Sequence, residues 1–259
     1  MSDILQNHAK RKKRNQLLSA YALVLPAFIV VLLIVAYPIV NSVIRSFTVR
    51  GQEGFTLANY VYFFTEPREL ANILYTLLVV VVTSVLSTVF AYALALYLRF
   101  VKSRVSLLIG RLYLIPRFIP GMVAIYAVIV TIRDTGVISR LALLLFGVEF
   151  QPALMFNTAG LLTMNLWFNI PFSAMLISAA LAGIPDSMIE SARDVGAGRL
   201  CVFRTMIVPM SIKDVMVAAT FVFMGNVGGF TTPYLIMGSV QPKMLGISLF
   251  DQFAKYADM

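Results

Sequence analysis

Five stretches of the chain, residues 15–44, 70–98, 118–132, 150–185 and 215–242, contain no Asp, Glu, Lys or Arg. An α-helix crosses the hydrocarbon core of a bilayer with about 20 apolar residues, each rising ~1.5 Å. The first, second and fourth stretches meet that length outright. The third is short, but Arg111 and Arg117 near its start have stems long enough to carry their charges to the headgroups, so the pattern predicts a span over 112–132. The fifth begins apolar and then breaks into Gly225, Gly228, Gly229 and Pro233, which predicts a span with an irregular outer half. The expectation is an all-α membrane protein with five transmembrane helices.

Composition agrees. Hydrophobic side chains make up 59% of the 259 residues and charged ones 13%, against about 45–50% and about 25% in an ordinary soluble domain. The net charge of +9 brings no nucleic-acid partner, because the 21 basic residues are scattered among apolar runs and form no continuous basic face. The single cysteine, Cys201, excludes an internal disulfide and any CxxC site, and the single histidine, His8, lies in a polar tail. No catalytic residue and no metal site is therefore expected. Residues 1–16 read as a basic cytoplasmic tail. The apolar run behind Lys10 to Arg14 exceeds the roughly 7–15 residues of a signal-peptide core, so it reads as a retained first helix.

Basic residues set the orientation. With the N-terminus inside, the tail and the two inner loops hold thirteen Lys and Arg, and the outer segments hold seven. The positive-inside rule favours a cytoplasmic N-terminus in a multi-pass plasma membrane protein.

One inner segment is more than a connection. Pro185 precedes Ser187 and Glu190, which fit a capping box, and Gly196 fits a left-handed helix terminus, so a helix of two to three turns is expected. A second helical stretch over 199–208 would end at Pro209, which lacks an amide donor. Ile189, Ala192 and Val195 fall near one face, and Ala192, Gly196 and Ala197 are small enough for another backbone to approach. The physical pattern fits a docking surface and an amphipathic loop lying on lipid equally well.

The spacing Glu190-Ser191-Ala192, three residues, Gly196, nine residues, Met206, one residue, Val208-Pro209 resembles the EAA motif of permease subunits of binding-protein-dependent ABC importers. Ser191, Met206 and Val208 depart modestly from the family's alanine, isoleucine and leucine. The resemblance implies a type I permease helix bundle forming a transmembrane domain over 17–259, with a coupling-helix loop over 185–210. It further implies that Glu190, Ser191, Ala192, Asp194, Gly196 and Ala197 meet a separate ATP-binding cassette subunit, with Phe203 and Pro209 fixing the return to the membrane. The chain has no GxxxxGK[ST] phosphate loop; ATP and Mg would be used by the partner. A second permease subunit, an extracytoplasmic solute-binding protein and the inner-membrane bilayer of a bacterium complete the implied assembly.

Polar residues inside spans are candidates for the translocation path: Asn165, Trp167 and Asn169 in the fourth, and Asn226, Thr231 and Thr232 in the fifth. Helix packing is the competing role for each asparagine, and Gly225 with Gly229 forms a GxxxG pair that favours close packing. The stretch from Gly229 to Gly238 is similar to polyamine, ferric-iron and phosphonate permeases more than to sugar permeases, with polyamine first and sugars open. An ion-coupled secondary transporter is the alternative, but it calls for carboxylates at the membrane midplane, and no predicted span contains one. Relatives usually carry another helix after a segment like 245–259, so a last span is expected to be missing here.

Overall fold

The computed structural model describes residues 20–49 and 54–257. The described residues fall into two compact units, one before and one after the boundary between Glu69 and Leu70. In the first, the apolar run becomes α1 (Ala20–Ser46), with a π-helical turn at Leu32–Ala36. The chain then folds back into α2 (Ala58–Thr65). There the Asn59 amide donates to the carbonyls of Ser46 and Thr48, each at 3.0 Å, and the Tyr60 ring lies 5.3 Å from that of Phe47. The basic tail, the first residues of the 15–44 stretch and Arg50 to Glu53 of the first outer loop lie outside the described residues.

Helix α3 (Pro67–Phe100) is 34 residues long, about 50 Å. It is followed by α4 (Arg104–Leu112), α5 (Ile115–Phe118), α6 (Gly121–Ile132), α7 (Val137–Phe146) and α8 (Thr158–Ala182). Next come α9 (Asp186–Asp194), α10 (Arg199–Val227), α11 (Thr231–Met237) and α12 (Leu245–Ala257). Among the described residues, five segments are long and apolar enough to cross a membrane: α1, α3, Gly121–Phe146, α8 and α10.

Helix α8 is the axis of the second unit and packs against α5, α10 and α11. It starts where the Asn157 side chain accepts from the Gly160 amide at 2.9 Å, satisfying one of the four amides a helix start leaves open. Two apolar cores lie along it. One joins Val79 and Val80 of α3 to Ala124, Leu161, Met164 and Ile236. The other joins Ala91 and Ala95 of α3 to Ala174, Ile177, Ile189, Val202 and Ala218. Between them α3 carries a buried polar band of Thr83, Ser84 and Ser87. Thr83 of this band bonds helix to helix, accepting from Asn165 of α8, while Ser84 donates to the Val80 carbonyl of its own helix. Tyr92 of α3 likewise meets the Ser211 hydroxyl of α10 at 3.0 Å.

Three boundaries differ from the sequence pattern. The third span begins at Gly121 and not at 112, because α5 ends and the backbone turns extended at Ile119 and Pro120. Arg117 consequently lies before the span, its guanidinium 4.9 Å from the centre of the Phe172 ring. The Asp134-Thr135-Gly136 turn joins α6 to α7 within the apolar segment. Pro209 does not end a helix. A π-helical turn at Phe203–Ile207 shifts the hydrogen-bond register ahead of it, so α10 continues from Arg199 to Val227 and includes Lys213 and Asp214.

Candidate functional site

The segment between α8 and α10, the bracket, is built as a short helix closed by a tight turn. Helix α9 starts from Pro185, with no side-chain cap; the expected capping box is absent, and Ser191 Oγ instead donates to the Ser187 carbonyl at 2.8 Å. The reason is the register: Asp186 is already helical, so Ser187 sits inside the first turn and has no free amide to cap. At the other end the expectation is met. The Ala197 amide donates to the Ala192 carbonyl at 3.0 Å and the Gly196 amide to that of Arg193 at 2.8 Å. This pair of bonds is a Schellman terminus, and it puts Gly196 at φ +92°.

The faces of α9 divide differently from the expected Ile189, Ala192, Val195 stripe. Ile189 is buried in the core, and Ala192 and Ala197 pack partly against it, while Val195 is 85% exposed. Val195 is the residue where the helix ends, which rotates it away from the stripe. The outward face carries Glu190, Ser191, Asp194 and Gly196, with Met188, Val195 and Leu200 as exposed apolar side chains. Phe203 packs into the core with its ring 6.3 Å from Tyr92, and Pro209 is exposed.

The bracket is tied to α3 by a contact the sequence pattern did not single out. Arg99 Nη2 donates to Asp186 Oδ1 at 2.6 Å and to the Ile184 carbonyl at 3.1 Å. The two residues are 87 positions apart. A basic residue at the end of a span and an acidic one at the next inner helix start were the available signal, and charge alone does not pair them.

At the other end of α8 the predicted path residues come together, with two exceptions. Asn165, Asn226, Thr231 and Thr232 line one cavity of about 220 Å³, closed by Gly229, Phe230 and Met244. Asn165 Nδ2 donates to Thr83 Oγ1 of α3 at 3.4 Å. Asn169 does not line the cavity; its amide donates to the Asn165 carbonyl at 2.7 Å and lies 3.5 Å from Asn226 Oδ1. Trp167 stacks edge-on against Phe168 with centroids 5.0 Å apart and packs on the apolar core. Each asparagine is thus bonded between helices, and two of them also face the cavity. Gly225 and Gly229 do not form the expected packing face: a methyl group on Gly225 would meet open space. The close approach is between Gly246 and Gly229, where a Cβ on Gly246 would come within 2.7 Å of the Gly229 oxygen.

Residues 87–253 match the family described as the binding-protein-dependent transport system inner membrane component. The chain belongs to this family. It is the permease of an ABC importer, an inner-membrane component of a transport system. The permease is 23% identical over 204 residues to the spermidine/putrescine transport system permease protein PotB of Escherichia coli, covering 79% of this chain and 74% of that one. It is 29% identical over 185 residues to the molybdenum transport system permease protein ModB of Azotobacter vinelandii, covering 71% and 80%. It is also 29% identical over 178 residues to the thiamine transport system permease protein ThiP of Brucella abortus, covering 68% of this chain and 32% of that one. A solved bacterial ABC transporter involved in alginate import has the same fold, with a TM-score of 0.73 at 18% identity over 96% of this permease and 87% of that chain. A second alginate transporter structure, in complex with an alginate pentasaccharide-bound periplasmic protein, gives 0.76 at 20% identity over 96% and 86%.

Proposed function

We propose that this permease carries a small polar solute inward by alternating access, driven through α9 by a separate ATP-binding cassette subunit that uses ATP and Mg. The observation that carries the reading is the bracket. Helix α9 is anchored in the core by Ile189, locked at its end by Gly196, and joined through Arg199 to α10, one of the two helices that line the cavity with Asn226 and Asn165. A push on the exposed face of Glu190, Ser191, Asp194 and Gly196 therefore moves a rigid body whose far end holds path residues. Ala192, Ala197 and Phe203 transmit the push through packing, and Pro209 sets the angle of α10. A second permease subunit would complete the path, and a solute-binding protein would deliver the solute from outside.

In this reading residues 1–16 are a cytoplasmic tail and 17–259 the transmembrane domain, with the loop 185–210 on the cytoplasmic side. Support comes from the excess of Lys and Arg on the segments that share a side with the loop. A polyamine is the proposed solute class. The likeness to PotB supports it, and the cavity offers amide and hydroxyl oxygens that accept from ammonium groups. A sugar is the second reading, supported by the absence of any carboxylate among the cavity-lining residues.

The test is to replace Gly196 with tryptophan and measure co-purification of the ATP-binding subunit together with uptake of labelled spermidine. Loss of both is expected. Unchanged association and uptake would sink the reading.

A further inference from the structure

Beside the bracket lies a second cavity, of about 650 Å³, between the end of α3, α9 and the start of α10. Four cations line it from three helices and a linker: Arg99, Lys102, Arg193 and Arg199. Two carboxylates line it as well, Asp186 and Glu190. Asp186 is taken up by Arg99, and among the described residues Lys102, Arg193 and Arg199 form no ion pair. The Arg99 guanidinium spends Nη2 on Asp186 and Ile184, while its Nε is buried without a partner. The remaining wall is apolar and aromatic, with Leu96, Tyr97, Phe100 and Phe203 among its residues.

We infer that this cavity binds a phosphate group. Guanidinium groups recognise phosphate oxygens through directed N–H donors, and Arg193, which forms no ion pair among the described residues, brings such a group to the cavity wall. Lys102 and Arg199 supply further charge, and the lining as a whole carries two more cations than anions. The place in the fold names two sources. Phe100 ends a membrane span, so the headgroup of an anionic phospholipid reaches the cations while its chains lie along the apolar wall. A free phosphate or phosphate ester from the aqueous side meets the same donors.

The experiment uses the full chain reconstituted in nanodiscs of equimolar phosphatidylglycerol and phosphatidylcholine, with retained lipid counted by native mass spectrometry. The expected result is preferential retention of phosphatidylglycerol, falling about five-fold or more in the Lys102→Gln/Arg199→Gln double variant. Lys102→Arg/Arg199→Lys, which keeps both charges, is expected to retain the lipid. Millimolar inorganic phosphate distinguishes the sources: displacement of the lipid identifies a free-phosphate site, and no displacement identifies a lipid site. Equal retention of the two lipids by the unaltered chain, with no protection by phosphate against thermal unfolding, would overturn the inference. So would a double variant that loses the ATP-binding subunit yet keeps its phosphatidylglycerol, since the cavity would then be part of the docking surface.

Discussion

Arg99 and Asp186 meet at 2.6 Å, joining the last turn of a 34-residue span to the first residue of the helix that carries the EAA-like motif. Their side chains are 24% and 63% exposed, so the pair contributes little to global stability, about 0–1 kcal/mol. Its effect is positional. The same guanidinium also holds the Ile184 carbonyl, which fixes how α9 leaves α8.

Arg99→Gln is therefore expected to leave the melting temperature of the detergent-purified permease within a few degrees of the parent. Uptake in the assembled transporter is expected to fall several-fold. Thermal unfolding read beside transport separates the two effects, and a variant that transports at the parental rate would show that the tie to α3 plays no part.

At Gly196 the backbone has φ +92°, and an added methyl group would meet open space. Gly196→Ala is accordingly expected to lose about 1–2 kcal/mol through backbone strain alone, fraying the end of α9 and weakening association with the ATP-binding subunit. If alanine associates normally and only bulky residues fail, the glycine serves close approach of a partner and not the Schellman terminus.

Asn226 bonds the Val222 carbonyl at 2.7 Å and lines the smaller cavity, whereas Trp167 lies against Phe168 in the core. Asn226→Leu is expected to cut uptake by about ten-fold or more, the loss of one or two hydrogen bonds to a desolvated solute, while ATP-binding subunit association is kept. Trp167→Phe is expected to change stability by about 1 kcal/mol and uptake little. Steady-state uptake curves on both variants check this.

The carbonyl of Gly229 sits where a Cβ on Gly246 would come within 2.7 Å. Gly246→Ala forces backbone apart at the break between α10 and α11, and a loss of about 1–3 kcal/mol is expected. Thermal unfolding in detergent measures it. An unchanged midpoint would mean that α12 shifts freely against this break.

Tyr92 and Ser211 share a hydrogen bond of 3.0 Å between α3 and α10. Tyr92→Phe is expected to lose about 1 kcal/mol. Ser211 keeps its bond to the Ile207 carbonyl at 2.7 Å, so no buried donor is orphaned on that side.

Much of the fold was legible because lipid imposes a simple rule: a chain must present some 20 apolar residues per crossing. Spans α1, α3 and α8 follow it, and Gly228 and Gly229 mark the break after Val227. The misreadings were local. Pro209 looked like a terminator because a proline removes one donor, and a π-turn five residues long supplied the slack. Ser187 has the right spacing to Glu190 for a cap, yet the cap position is Pro185, two residues earlier.

By itself the sequence determined the solvent, the run of apolar segments and the position of the motif, since these depend on composition and on spacing along one strand of chain. Only the tertiary structure decided which polar residues meet. Arg99 finds Asp186 and Asn165 finds Thr83 across separations of 87 and 82 residues, and the winding of α3 beside α8 sets both. A side chain's spacing fixes the face of its own helix, but the neighbour on that face is chosen by how whole helices pack.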